Sequence, residues 1–403
     1  MEFSTATYKE LFPIYQKYPD WLYLDHGAST HKPAVVIDRV ARFWREEYTN
    51  IHRGIYRQAA ASTRMYEDVR VKVQEWLHAT YQEEIIFTSG TTASINLVAR
   101  GWAAPRLKEG DEIVISTMEH HANLIPWQQI CKEKGAILKV IPLTDKGEIS
   151  MEEYWHMLTN RTVLVACAHV SNTLGTINPI KKMASLAHNK NIPILVDGAQ
   201  AIAHLEVDLQ ELGVDFYTFS SHKMYGPDGV GVLFASKAMH KDMIPYAWGG
   251  DMVREVSFED TVTAEAPAKF ETGTPSISGV IGMGTAIDFM EEHRSVEKKV
   301  HLRELARYAY GMIKEVAGIR VLGSADERLP IFSFTLTDIH PHDIATFLDS
   351  RNMAIRAGHH CTQPLLNSMG ESSAARACFS YEHSKSDVGK FVSALKEMIQ
   401  FFG

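Results

Sequence analysis

The chain has no run approaching the roughly 18 consecutive apolar residues of a membrane-spanning helix, so a helical integral membrane protein is not expected. The opening Met1-Glu2-Phe3-Ser4-Thr5-Ala6 lacks the basic and apolar regions of a secretory leader, and the expected location is cytoplasmic. Cysteine is scarce. Four residues among 403, Cys131, Cys167, Cys361 and Cys378, are too scattered for a disulfide framework or for paired metal-ligand spacing, so no metal site is expected. Nor is there an excess of basic charge: 41 Lys and Arg against 49 Asp and Glu give a net −8, which argues against a general nucleic-acid surface. Repeats and low-complexity segments are lacking too, which excludes solenoid architectures. What is there is 45% hydrophobic residues on a chain long enough for a large core and more than one domain.

From about residue 84 to 235, β-branched apolar runs alternate with helical patterns. The runs are Ile85–Phe87, Glu112–Ile115, Ile137–Ile141, Val163–Ala166, Ile192–Val196, Phe216–Phe219 and Val230–Phe234. Such alternation predicts an α/β fold with a mostly parallel seven-stranded sheet, whose ligands bind at the carboxyl ends of the strands. Past residue 290 the pattern predicts a long charged helix over 291–317, a strand over Ile331–Leu336, and helices over 341–350 and 386–402, a smaller α+β unit. The stretch from Gly249 to Gly273 is poorest in pattern and reads as a long loop. The domain expectation is a large cofactor-binding unit over 21–290, with 1–20 and 291–403 forming the smaller one.

Two strand ends carry the chemistry. Phe216-Tyr217-Thr218-Phe219-Ser220-Ser221-His222-Lys223 delivers a lysine into a turn, where partial desolvation suits its amine to Schiff-base formation. Most lysines are solvated surface residues, and Lys223 alone would be read that way. Upstream, however, Ile194-Leu195-Val196 ends at Asp197, followed by Gly198-Ala199-Gln200. A carboxylate beside a Schiff-base lysine is the pairing that pyridoxal phosphate needs, because its pyridine nitrogen must stay protonated. A third strand end, Phe87-Thr88-Ser89-Gly90-Thr91-Thr92, opens a helix whose free N–H groups and hydroxyls suit a phosphate, with Ser220 and His222 as donors from the other side. Plain helix capping by threonine is the commoner role of such a turn.

Glu119-His120-His121-Ala122-Asn123 follows another strand and offers a ring to stack on a flat cofactor. Asn172 lies just beyond an apolar run, where a turn residue is equally at home. In Arg356-Ala357-Gly358-His359-His360-Cys361 the neighbouring Arg and His residues favour the reactive thiolate, and the glycine predicts a mobile loop. Arg376 heads a further run, where its fork of donors could grip a substrate carboxylate.

Together these motifs resemble the cysteine desulfurases of the SUF iron–sulfur assembly type, within the fold-type I, class V pyridoxal-phosphate enzymes. The resemblance runs from Tyr23-Leu24-Asp25 to the final helix and is most specific in the short loop ending at Cys361. It implies Lys223 as the Schiff-base lysine, Asp197 as partner of the pyridine nitrogen, His120 as the stacking ring and Gln200 at the phenolic oxygen. Thr91, Thr92, Ser220 and His222 would hold the phosphate. Thr274 would reach the phosphate of a second subunit, implying a homodimer. Asn172 and Arg376 would bind the substrate carboxylate, Arg356 would steer substrate, and His52 and Arg53 would line the entrance.

The implied reaction converts L-cysteine to L-alanine, leaves the sulfur on Cys361 as a persulfide, and passes it to an acceptor protein of the SUF system. Selenocysteine lyase or another class V enzyme is the alternative on the same scaffold. His340-Pro341-His342-Asp343 resembles a segment of enzymes that serve a zinc-containing acceptor, although a helix start is the commoner role of such residues. Two segments depart from the family pattern. Asp25-His26-Gly27-Ala28 stands for Asp-Asn-Ala-Ala, and Glu382-His383-Ser384 for Tyr-Asn-Thr. Neither is expected to touch the core chemistry.

Overall fold

Seven apolar segments build the central sheet of the structure, a computed structural model that describes residues 4–402. In chain order they are β1 (Ile85–Thr88), β2 (Glu112–Ser116), β3 (Ile137–Ile141), β4 (Thr162–Ala168), β5 (Ile194–Asp197), β6 (Phe216–Ser220) and β7 (Gly231–Ala235). Their spatial order is β1-β7-β6-β5-β4-β2-β3. Only β7 runs against the rest, pairing antiparallel with β1 and β6. Strands β2, β5, β6 and β7 are buried at every position, as continuous apolar runs covered on both faces should be, whereas β3, at one edge, is largely uncovered. The fold is that of the expected α/β class.

The register puts Asp197 beside Ala168 and Thr218, and Ser220 beside Gly231. The carboxyl ends of β4, β5 and β6 therefore meet at one rim. Gly231 is required there, because a Cβ would lie 2.4 Å from the Cα of Gly90.

A second, antiparallel sheet comprises β8 (Ile319–Val321), β9 (Ile331–Leu336), β10 (Arg356–Gly358) and β11 (Ala374–Cys378), ordered β8-β9-β11-β10. Helices Val296–Lys314, Pro341–Asp349 and Lys385–Phe402 cover it, burying Leu305, Ile344 and Phe391 against Phe332 and Phe334. The N-terminal segment is shared. Leu22 and Leu24 pack into this second core, and Leu22–Tyr23 pairs with Met353–Ala354. Tyr8, Phe12 and Tyr15, by contrast, pack in the larger core with Tyr225 and Phe289.

Two expectations are corrected. The helix expected over 291–317 is present as Val296–Lys314, while Glu291 and Glu292 end the preceding helix, Ile277–Glu292. The later helix starts at a cap in which Ser295 Oγ accepts from the Lys298 amide at 3.1 Å, with Glu297 in its first turn. The long loop at 249–273 contains a hairpin, Val253–Val256 with Thr261–Thr263, its turn held by the Ser257 hydroxyl accepting from the Asp260 amide. Among the described residues no helix is long and apolar enough to cross a membrane.

Candidate active site

The rim of the large sheet opens into a cavity of about 240 Å³ lined by Thr91, Thr92, His120, Asn172, Asp197, Gln200, Ser220, His222, Lys223, Arg356, Cys361 and Arg376. Every residue expected at the site is there except His52, Arg53 and Thr274.

Lys223 sits on a single helical turn, Ser221–Lys223, directly after β6. The residue before it is tightly held. The His222 carbonyl accepts from the Thr30 amide at 3.1 Å, from Ser29 Oγ at 3.1 Å and from Lys32 Nζ at 3.0 Å. The Lys223 amine itself has no hydrogen bond or ion pair among the described residues. Burial pulls its pKa below the ordinary lysine value, Asp197 opposes this and Arg376 adds to it. Asp197, at the last position of β5, accepts from the Ala199 amide at 2.9 Å, and burial raises its carboxyl pKa against that bond and the nearby Lys223.

His120 is presented by a turn built on a buried acid. Glu119 accepts from Ser116 Oγ, from Asn123 Nδ2 at 2.6 Å and from the Ala168 amide at 3.1 Å, which ties the turn to β2 and β4. Burial raises Glu119 to about 7 despite these bonds. His120 Nδ1 accepts from the Ala122 amide at 3.1 Å. Burial, with Lys223, His121 and Arg376 nearby, lowers the ring to about 3, so His120 is a neutral flat ring at neutral pH.

The helix Thr91–Val98 begins where Gly90 has φ +144°. Ser220 Oγ accepts from the Thr91 amide at 2.9 Å and lies 2.9 Å from Thr91 Oγ1, joining β6 to that helix start. The donor set therefore fits pyridoxal phosphate: an unpartnered amine for the aldehyde, a buried carboxylate, a neutral ring, and hydroxyls with free helix N–H groups for the phosphate. Gln200 donates from Nε2 to the Gly27 carbonyl at 2.7 Å.

Cys361 is exposed, whereas Cys131, Cys167 and Cys378 are buried. The mobile loop expected around it is instead pinned. Asn172 Nδ2 donates to the His360 carbonyl at 2.7 Å, the His121 amide donates to the Cys361 carbonyl at 2.7 Å, and His360 Nε2 lies 2.9 Å from the Ala374 carbonyl. His360 and Cys361 both have positive φ, 51° and 56°, a conformation uncommon outside glycine that these contacts hold in place.

Arg376, on β11, is buried and donates from Nη1 to the Asn172 carbonyl at 3.0 Å. The residue that sequence reasoning missed is Asp25, which bridges Arg376 and Arg356. The expectation that the Asp25–Ala28 segment stays clear of the chemistry is thus overturned: Gly27 and Ala28 line the cavity. The available signal was a carboxylate directly after the apolar Leu22-Tyr23-Leu24, the same placement that flagged Asp197.

Three residues lie elsewhere. His52 has φ +68° and its Nε2 is 3.0 Å from Glu67, Arg53 pairs with Asp251 at 3.2 Å, and Thr274 is exposed in a separate groove with Thr272 and Gly273. His340 Nδ1 caps the helix Pro341–Asp349 by accepting from the His342 amide at 3.3 Å, a helix-start role.

Comparison with known proteins agrees with this geometry. A probable cysteine desulfurase of Halalkalibacterium halodurans is 44% identical over 398 residues, 98% of each chain. Another, from Staphylococcus aureus, is 44% identical over 94% of this chain and 92% of its own. Among solved structures, a cysteine desulfurase of Escherichia coli in its S-sulfonic acid form superposes with a TM-score of 0.92 at 35% identity, covering 99% of both chains. The cysteine desulfurase of Thermococcus onnurineus superposes equally well, at 0.92 and 30% identity over 97% of both chains. The family model for class-V aminotransferases matches residues 22–391, and with relatives this similar over almost the whole length, the chain belongs to the aminotransferase class-V family.

Proposed function

We propose that the protein is a pyridoxal-phosphate-dependent cysteine desulfurase that moves sulfur from L-cysteine to Cys361 and releases L-alanine. The observation that carries this is one cavity holding an exposed cysteine together with the amine of Lys223 and the carboxylate of Asp197. Pyridoxal phosphate, when bound, supplies an electron sink for the pair left at the substrate Cα. Lys223 would hold the cofactor through its aldehyde, and its amine is the group placed to move the Cα proton. Asp197 would keep the pyridine nitrogen protonated, His120 would cover the ring, Gln200 would meet the phenolic oxygen, and Thr91, Thr92, Ser220 and His222 would hold the phosphate. Arg376, with Asn172 behind it, receives the substrate carboxylate, and Arg356 flanks the approach.

The sulfur step balances simply. The Cys361 thiolate attacks the substrate sulfur, the S–S bond forms as the Cβ–S bond breaks, and the carbon takes up a proton to become the methyl group of alanine. A persulfide is left on Cys361. Its exposed position lets an acceptor reach it, and we infer a protein acceptor of the SUF type and a role in iron–sulfur cluster assembly. A cytoplasmic location belongs to the same reading, supported by four free cysteines.

A homodimer completes the proposal. Ile55 is fully exposed and Trp248 is 61% exposed, each within three residues of a member of the Arg53–Asp251 pair, apolar surface of the kind that a second copy buries. Thr274 and the His52-Arg53 segment, outside their own cavity, would then serve the partner's.

The test is alanine release from L-cysteine by the parent and by Cys361→Ala, with cofactor and a reductant present. Alanine from the parent alone, with full cofactor loading in both, supports the reading; equal activity in the two sinks it.

A further inference from the structure

The two segments that depart from the family pattern meet in space. His26 Nε2 lies 2.9 Å from Glu382 Oε1, with side chains 2% and 0% exposed. Tyr15 donates its hydroxyl to the same oxygen at 3.3 Å, and the His383 ring stands edge-on to His26 at 5.5 Å. Burial opposes ionisation of Glu382, but the neighbouring His26 and His383 outweigh it and hold the carboxyl below its usual range. Removing either member of such a contact strands the other in a buried site.

The contact is tied at both ends to the substrate side of the cavity. On one side His26 stands between Asp25, which bridges Arg356 and Arg376, and Gly27, whose carbonyl accepts from Gln200. Gly27 is wedged in place: a Cβ there would lie 2.8 Å from Cys378 Sγ and 3.2 Å from the Arg376 guanidinium. On the other side, Glu382 lies four residues past the end of β11, the strand that carries Arg376, and the Cys378 amide donates to the Leu24 carbonyl at 2.7 Å.

We propose that the His26–Glu382 contact is a clamp that positions Asp25, and through it Arg376, for binding the amino-acid carboxylate, with Gly27 held in the same segment. His26 and Glu382 are positioning residues of the site, acting through their neighbours. The inference rests on the assignment of Arg376 to the substrate carboxylate under the proposed function.

The experiment compares holoenzyme of the parent, His26→Asn, Glu382→Gln and the double variant. For each, kcat and KM for L-cysteine are measured, with the Kd of L-alanine from the absorption of bound cofactor, cofactor per chain, thermal midpoint and metal content. Each single substitution is expected to raise KM and the L-alanine Kd about tenfold, with kcat within about twofold and cofactor loading complete. The double is expected to fall well short of the roughly hundredfold product of independent sites, because two residues in contact are coupled. A loss of folded protein alone would lower apparent kcat and leave KM and Kd unmoved, which would overturn the clamp. So would effects that multiply fully, or one metal ion per chain that disappears in His26→Asn. If a single variant does not fold, the double, in which neither partner is left as a lone charge, carries the test: a parental KM and Kd would overturn the clamp. Should the parent release no alanine from cysteine, the functional reading fails while the L-alanine Kd still decides the clamp.

Discussion

Asp25 holds two arginines at once, accepting from Arg376 Nη2 on Oδ1 at 3.2 Å and from Arg356 Nη2 on Oδ2 at 3.0 Å. One arginine is the candidate carboxylate site and the other begins the strand leading to Cys361, so a single carboxylate links substrate binding to the sulfur acceptor. Arg376 is buried, and its charge has Asp25 as its ion-pair partner. Breaking a buried pair from one side costs about 3–5 kcal/mol, much of it from the stranded charge.

Asp25→Asn should therefore lower the thermal midpoint of the holoenzyme by several degrees. Because a bound amino acid brings a carboxylate of its own to Arg376, saturating L-alanine should raise the midpoint of the variant more than that of the parent. Equal ligand shifts in the two proteins would separate Asp25 from carboxylate binding.

Lys223 is the only amine among the residues lining the cavity. Borohydride treatment of the holoenzyme should fix the cofactor's mass on the peptide that contains Lys223. Lys223→Ala should lose that label and at least about 10³-fold in turnover, in line with removal of both the covalent anchor and the proton carrier. A label found on another lysine would move the cofactor elsewhere.

What could be read from the chain follows from where the chemistry sits. Asp197 and Lys223 are the last residue of one buried strand and the end of the turn after another, so an apolar run followed by an ionisable group marked both. The sheet was legible for the same reason. The anchoring of the Cys361 loop was not, because Asn172, His121 and Ala374 are far apart in sequence and each of their bonds to the loop has a backbone group on at least one side, which carries no residue-type signal. The Asp25 bridge and the His26–Glu382 contact join segments more than 300 residues apart, and no local pattern reports such a pairing. The break at Ser295 was a local signal outweighed by the charged helical pattern on either side of it.

Acid should weaken the fold in a defined window. His169 and His360 are buried, and burial first of all lowers them to about 4 and about 3, although the Ala374 carbonyl bonded to His360 acts the other way. Their folded pKa values lie below the unfolded value near 6.5. The stability they contribute is therefore complete above that pH and falls as the unfolded chain takes up protons the folded one refuses. Each should cost about 2 kcal/mol between pH 6.5 and 5. Urea unfolding of the holoenzyme at the two pH values reads the loss, and His169→Asn should make the slope shallower. An unchanged slope would mean that His169 is protonated in the fold.

Thr274 makes the dimer testable through the cofactor. In its own chain it lies in a groove with Thr272 and Gly273, apart from the cavity that holds Lys223, so any effect it has on phosphate must act on another subunit. Thr274→Val should leave a dimer by light scattering and weaken cofactor binding by about tenfold, the scale of one hydrogen bond to a charged group. Trp248→Glu puts a charge into the exposed apolar surface and should give a monomer with the same cofactor defect, although Trp248 touches neither cavity. Adding Thr274→Val to that monomer should then change nothing further, since the lost contact came from the partner. A monomer that still loosens its cofactor on Thr274→Val would place the threonine in its own site, and a parent that is monomeric at assay concentration would remove the shared phosphate contact altogether.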